Sequence, residues 1–341
     1  MEQNILQVKD LRVSYYTYAG EVQSVRGVSF HVKKGETLAI VGESGCGKSV
    51  TAKSIMRLIA DPGKIKDGSS IVFDGRDVLA MRKRELRSYR GDDCAMIFQD
   101  ALTSLDPTMK VGKQIAEVLK IHGKANGKRA AAQAVELLRQ VGIPNPERRA
   151  QEYPHQFSGG MRQRAMIATA LACSPKLLIA DEPTTALDVT IQAQIIDLMK
   201  QLQQQTGTAI ILITHDLGVV ADIAQRICVM YSGKIVECGS ARDIFYRPRH
   251  PYTLALLSSV PRLDLKNKQE LVTIDGTPPD LLQPPAGCPF CTRCKYCMPI
   301  CRDEMPAETD FGSGHLAACW LHDARAPSVD APLYDEKETE K

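Results

Sequence analysis

The chain has 341 residues, 44% apolar and 24% charged, with a formal net charge of +3. These are values of a globular protein long enough for one large α/β domain and a smaller appendage, and they exclude a disordered polypeptide. So slight an excess of positive charge gives no ground for a nucleic-acid partner; no apolar run approaches the ~20 residues of a membrane-spanning helix, and Met1-Glu2-Gln3-Asn4 lacks the basic start and apolar core of a signal peptide.

From about Ile5 to Val32, apolar and polar positions alternate among aromatic and β-branched side chains, which predicts an antiparallel strand pair with Tyr15 and Tyr16 in its turn region. Thr37 to Val41 reads as a short buried strand and Val50 to Met56 as a helix. Between them Gly42-Glu43-Ser44-Gly45-Cys46-Gly47-Lys48-Ser49 fits the phosphate-loop pattern G-x-x-x-x-G-K-[ST]. Its glycines let successive N–H groups face a concavity that holds phosphates at a helix N-terminus. Lys48 would reach the β- and γ-phosphates and Ser49 would coordinate Mg²⁺.

Pro62-Gly63 punctuates a return to strand at Ser70 to Phe73, and the basic cluster from Met81 to Arg87, interrupted by Glu85, reads as a solvated helix face. A mainly helical stretch follows from about Val111 to Val141, in which Ile115, Val118, Leu119, Val135 and Leu138 fall at helical spacing as core positions. Ser158-Gly159-Gly160 opens a helix running through Arg162, Ile167 and Leu171, with bare N–H groups at a positive dipole end. From about Pro175 to Val236 short apolar strands (Leu177 to Ala180, Ala209 to Ile213, Ile227 to Met230) alternate with helices, the pattern of a mostly parallel sheet. Asp181 closes the first of these strands, where its carboxylate can hold the Mg²⁺ shell. Glu182 follows and can orient or deprotonate an attacking water. His215 lies just past the second strand and can reach a γ-phosphate.

Beyond His250-Pro251-Tyr252 the alternation fails, prolines and glycines gather between Gly276 and Gly287, and a domain boundary is expected near Pro261. No repeat of 20 to 50 residues is visible, and the tail from Asp335 to Lys341 reads as frayed. In the expected cytoplasmic setting, eleven cysteines are thiols or metal ligands rather than disulfides. Cys291, Cys294, Cys297 and Cys301 follow the ferredoxin run C-x₂-C-x₂-C-x₃-C, although Arg302 replaces its proline. Zinc ligation and unligated thiols remain open beside it. Cys46, Cys94, Cys173, Cys228 and Cys238 lie singly in the sequence and read as buried or incidental.

The phosphate loop, Gln99 in Met96-Ile97-Phe98-Gln99-Asp100, Ser158-Gly159-Gly160, Asp181-Glu182, Ala186-Leu187-Asp188 and His215 together resemble the ATP-binding cassette of ABC transporters over residues 5 to 250. The resemblance implies an α/β P-loop fold with an antiparallel β subdomain and a helical subdomain at about residues 100–172. It further implies that Tyr15 stacks on adenine, that residues 42–50 (Gly42 through Ser49, then Val50) with Gln99 bind ATP, that Gln99 also binds Mg²⁺, that Glu182 is the catalytic base, and that His215 meets the γ-phosphate. Tyr16 competes for the adenine role. The cassettes pair head to tail, so Ser158-Gly159-Gly160 would complete the partner's ATP site; Phe157 and Met161 depart from the usual signature.

A narrower resemblance lies in Arg249-His250-Pro251-Tyr252-Thr253-Leu254-Ala255-Leu256-Leu257, Gly287-Cys288-Pro289-Phe290 and Arg293-Cys294, which is similar to the C-terminal extension of ATPase subunits of oligopeptide, dipeptide and nickel importers. Asp61 to Ile65 is closer to the D-type subunit than to its F-type partner. The extension, residues 261–341, would carry a [4Fe–4S] cluster on Cys288, Cys294, Cys301 and Cys319, beside a cassette at residues 1–260. Implied partners are an F-type ATPase subunit in a heterodimer, two transmembrane permease subunits and an extracytoplasmic peptide-binding protein, with the chain peripheral on the cytoplasmic face of the inner membrane. Two other readings come from different classes. A soluble ABC ATPase of DNA repair would separate phosphate loop and signature by coiled coils, against about 110 residues without heptads here, and one of translation would carry two cassettes. A redox module on a cassette scaffold would show electron transfer and little ATP turnover.

Overall fold

The computed structural model describes residues 3–99, 104–185, 187–259 and 274–327. Strands β1 (Asn4–Thr17) and β2 (Gly20–Lys33) pair antiparallel, with Tyr15 and Tyr16 in the last residues of β1, opposite Val22 and Glu21. Leu6 and Val8, then Leu11 and Val13, are buried; an irregularity between Val8 and Leu11 resets the two-residue alternation. Strand β3 (Thr37–Val41) is buried along its whole length and runs into the phosphate loop and helix α1 (Lys48–Ile55). Then β4 (Gly63–Ile65), β5 (Ser70–Phe73) and β6 (Arg76–Asp77) complete an antiparallel sheet of order β2-β1-β5-β6, with β4 also on β1. Helix α2 (Lys83–Ser88) has no buried residue, as its charge predicts.

After β7 (Cys94–Ile97) the chain enters a helical layer: α3 (Val111–Ile121), α4 (Gly127–Gln140), α5 (Pro146–Arg149) and α6 (Gly159–Leu171). The helical stretch expected from Val111 to Val141 is two helices, because Gly123 at φ +67 turns the chain back on itself after α3. Ile115, Leu119 and Leu138 are fully buried, while Val135 is half-buried against the same core and Val118 is half-buried.

Next come β8 (Leu177–Asp181), α7 (Val189–Thr206), β9 (Ala209–Thr214), α8 (Leu217–Ile223), β10 (Arg226–Tyr231), β11 (Lys234–Ser240), α9 (Ala241–Tyr246) and α10 (Pro251–Ser258). The last elements are α11 (Ile300–Asp303), β12 (Thr309–Asp310) and β13 (Leu316–Ala317). The large sheet has the order β12-β13-β11-β10-β3-β9-β8-β7, parallel from β10 to β7 and antiparallel beyond. Strands β8 and β9 are buried at every residue, which is why they read as unbroken apolar runs.

The tail adds strands to this sheet rather than standing apart from it: Glu237 and Cys238 of β11 pair with Ala317 and Leu316. No signal for that pairing exists in two-residue strands. Cys228 and Cys238, read as single thiols, face each other across β10 and β11 with sulfurs 2.7 Å apart. All five cassette cysteines are buried. Among the described residues no helix is long and apolar enough to cross a membrane. Asp100, Ala186, Pro261 and the tail from Asp335 to Lys341 lie outside the described residues.

Candidate functional site

The sheet register sets the site. Val41 is level with Thr214, Ile213 with Asp181, and Ala180 with Ile97, so the residues just beyond β3, β9, β8 and β7 leave the same edge at their carboxyl ends. Those residues are the phosphate loop, His215, Glu182 and Gln99.

Two glycines of the loop are required by contact. A Cβ on Gly42 would fall 2.0 Å from the Met230 carbonyl oxygen, and one on Gly47, at φ +102, would fall 2.4 Å from that of Ser24. The Lys48 ammonium is buried under the loop and donates to the carbonyls of Gly42 (2.7 Å) and Glu43 (2.9 Å). Cys46 lies beside it at 3.8 Å, and burial pushes that thiol up from its ordinary pKa. Glu43 is gripped further. Its N–H donates to the Tyr252 hydroxyl (2.9 Å), and its carboxylate accepts from Arg293 (2.7 Å).

Ser49 donates from its hydroxyl to Asp181 Oδ1 at 2.9 Å, so the two expected Mg²⁺ ligands already touch. Asp181 is 3% exposed, and burial raises its pKa, with the Ser49 hydrogen bond opposing and the Glu182 charge reinforcing the rise. A bound divalent cation would reverse that balance and keep the carboxylate ionised. Glu182 holds a left-handed backbone at φ +48, fixed by its N–H to the Ile213 carbonyl (2.8 Å). Such strain in a residue with a Cβ is typical of functional positions. The Glu182 carboxylate accepts from Gln99 Nε2 (2.8 Å) and Thr185 Oγ1 (2.9 Å), and His215 Nδ1 stands 3.6 Å from its other oxygen. Thr185 lies in the run that follows Asp181-Glu182, and only the fold shows its hydroxyl on that carboxylate.

The structure leaves two groups away from this centre. Ser158 caps α6, accepting from Met161 N at 3.3 Å, and the nearest atoms to a Cβ on Gly159 or Gly160 belong to Leu187 and Ile191, not to the phosphate loop. Tyr15 packs half-buried against the core, where a Cβ on Gly63 would meet its ring at 2.6 Å. Tyr16 is 45% exposed, with the Lys64 and Lys66 ammoniums 5.6 and 5.9 Å from its ring centre.

In the tail, Cys288, Cys291, Cys294, Cys301 and Cys319 line one cavity together with His250, Phe290 and Trp320. Cys297 instead directs its sulfur to the Met298 carbonyl at 3.6 Å. Burial pushes Cys288 and Cys319 up to about 12 and Cys294 to about 11, with neighbouring thiols adding to the rise. The buried His250 Nδ1 accepts from Tyr252 N at 3.0 Å, which places the proton on Nε2, and Nε2 has no partner among the described residues. Five cysteine sulfurs and one unpartnered buried N–H donor thus meet at this cavity. Among the described residues no three His, Cys, Asp or Glu converge in a way that would hold a metal ion.

Residues 25–185 match the family model of the ABC transporter, and residues 236–301 that of the oligopeptide/dipeptide transporter C-terminal region. The chain is 56% identical to the oligopeptide transport ATP-binding protein OppD of Bacillus subtilis over 96% of this chain and 92% of that one. It is 56% identical to the dipeptide transport ATP-binding protein DppD of the same organism, over 95% and 96%. Among solved structures it is similar to the ATP-binding cassette MJ0796, a dimer in a post-hydrolysis state bound to ADP and Pi. There the TM-score is 0.63 and the identity 28%, covering 70% of this chain and 99% of that one.

Proposed function

Because the chain belongs to the ABC transporter ATP-binding proteins of the oligopeptide and dipeptide branch, we propose that it hydrolyses ATP with Glu182 as base and so drives peptide import. It is an ATPase subunit, and such subunits work with permease subunits and a substrate-binding protein. The observation that carries the residue assignment is the Glu182 carboxylate, held by Gln99 and Thr185 beside His215, one residue beyond the Ser49–Asp181 pair.

The loop N–H groups and Lys48 bind the phosphates, Tyr15 takes the adenine, and Ser49, Asp181 and Gln99 hold Mg²⁺, which when bound neutralises phosphate charge. Glu182 accepts the proton of the attacking water as its oxygen bonds to the γ-phosphorus and the bond to the β-phosphate oxygen breaks; His215 steadies the γ-phosphate. The signature Ser158-Gly159-Gly160, with no atom of its own phosphate loop against its glycines, completes the site of a paired subunit, a heterodimer with an F-type partner at the cytoplasmic face of the membrane.

The finer assignment is a D-type subunit, with residues 1–260 as cassette and 261–341 as extension, and Cys288, Cys294, Cys301 and Cys319 as thiolate ligands of a [4Fe–4S] cluster. All four line one cavity, which supports that register; of the ferredoxin-like run Cys291, Cys294 and Cys301 line it as well and Cys297 does not. Reconstitution with the permeases tests the function: ATP-dependent uptake of a labelled oligopeptide is expected. Uptake of nickel alone would move the chain to the related metal importers, and ATP turnover that no permease alters would remove it from transport.

A further inference from the structure

Glu43 is fixed at three points of its own length: N–H to the Tyr252 hydroxyl, carbonyl to Lys48, and carboxylate to Arg293. When Lys48 swings to a phosphate, the carbonyls of Gly42 and Glu43 lose its bonds. Tyr252 and Arg293 then remain to hold that part of the loop.

Arg293 belongs to the cysteine-rich tail, one residue before Cys294 and 250 positions away from Glu43. Its side chain is only 5% exposed, and every nitrogen of the guanidinium is used. Nε donates to the Asp275 carbonyl (2.9 Å), Nη2 to that of Ile274 (3.0 Å), and Nη1 to Glu43 Oε2 (2.7 Å) and the Tyr231 hydroxyl (3.1 Å). A guanidinium bonded at every nitrogen is rigid: Nε and Nη2 anchor it to the backbone of its own segment, which leaves Nη1 aimed at Glu43, and a lysine has no such second and third arm. The strap between Ile274 and Pro285 runs over the same region: Leu281 accepts from Gln23 N (2.9 Å) and Pro285 from Arg26 (2.7 Å). Pro278 to Leu281 share a pocket with Glu43, Ser44, Gly45 and Cys46.

We propose that Arg293 is a positioning residue of the ATP site, through which the cysteine-rich tail holds the phosphate loop in its nucleotide-binding shape. The proposal rests on the ATPase reading above. It makes the order of the cysteine segment a determinant of nucleotide affinity, because Cys288 and Cys294 bracket the residue that carries the contact.

The test measures kcat and KM for ATP in the assembled transporter with Arg293→Ala, Glu43→Gln and the double variant, alongside melting temperature and bound iron. Arg293→Ala is expected to raise KM about tenfold while kcat moves less than about twofold; Glu43→Gln is expected to raise KM by a similar factor, and the double variant to match the worse single one. Arg293→Lys, which keeps charge without the fork, should fall between. Glu43→Gln keeps the tail's own sequence and the backbone anchors of Arg293, so it reads the contact even where Arg293→Ala unfolds the extension. An unchanged KM in Glu43→Gln, or additive losses in the double variant, would overturn the proposal. A wild-type transporter without ATP turnover would strike the ATPase reading itself, and the proposal with it.

Discussion

In the proposed mechanism, the side chain that separates hydrolysis from binding is Glu182. Its backbone is held at φ +48 and its carboxylate is pinned from two sides, so its position is set before any substrate arrives. Glu182→Gln keeps the shape and removes the base. Hydrolysis in the assembled transporter is expected to fall by about 10²-fold or more with ATP binding retained; near-wild-type turnover would take Glu182 out of the role. A second outcome follows from Gly47, where a Cβ would press on the Ser24 backbone, which cannot step aside as a flexible side chain could. Gly47→Ala is expected to cost about 1–3 kcal/mol of stability and to weaken nucleotide binding, read by thermal melting with and without ATP; full binding would show that the loop tolerates the shift. At this scale the sequence was legible where placement depends on spacing along the chain, as for Lys48, Ser49, Asp181 and Glu182, which stand together at one sheet edge. It was silent where chemistry depends on contact, as for Thr185, Tyr252 and Arg293 on Glu43.

Among the elements, α6 has the clearest assignment to make. Ser158 caps it, and its first turn offers free N–H groups at the positive end of a thirteen-residue helix. A Cβ on Gly159 would meet nothing closer than Leu187 at 3.9 Å, so Gly159→Asp should fold normally while placing a negative charge where a γ-phosphate would dock. Hydrolysis at the site whose phosphate loop belongs to the paired subunit is expected to drop at least about tenfold, while ATP binding to this chain's own Lys48 site is retained. A demonstrably monomeric subunit turning over ATP at full rate would rule out the shared site. Four of the five parallel strands, β3, β8, β9 and β10, were legible because buried parallel strands must be apolar runs between helical periods; β7, only four residues long, was not. β12 and β13 were not, since two residues carry no period, and their pairing with β11 comes from contacts across the fold.

For the whole molecule, the tail poses the largest question, because it joins the sheet and touches the phosphate loop yet brings little apolar core of its own. The buried Glu237 carboxylate binds it in: it accepts from the N–H groups of Arg249 (2.7 Å) and His250 (2.9 Å) and bonds His315 Nε2 (2.8 Å), so one residue of β11 ties α10 to the turn before β13. The proposed cluster would be the tail's second tie, at the cysteine cavity. Thiols pushed up to about 11 or 12 stay protonated at neutral pH, whereas an iron–sulfur cluster would take them as thiolates and staple four separate points of the segment. Protein purified without oxygen is therefore expected to be brown, absorbing broadly near about 400 nm with roughly four irons per chain. Cys288→Ser and Cys319→Ser should lose the iron and lower the melting temperature. Cys297→Ser should keep it, since that sulfur faces the Met298 carbonyl, and so should Cys291→Ser, which lines the cavity outside the proposed register. Loss of iron at Cys291 and Cys297 with retention at Cys288 and Cys319 would establish the ferredoxin-like register in its place, and colourless protein carrying one zinc would reject both.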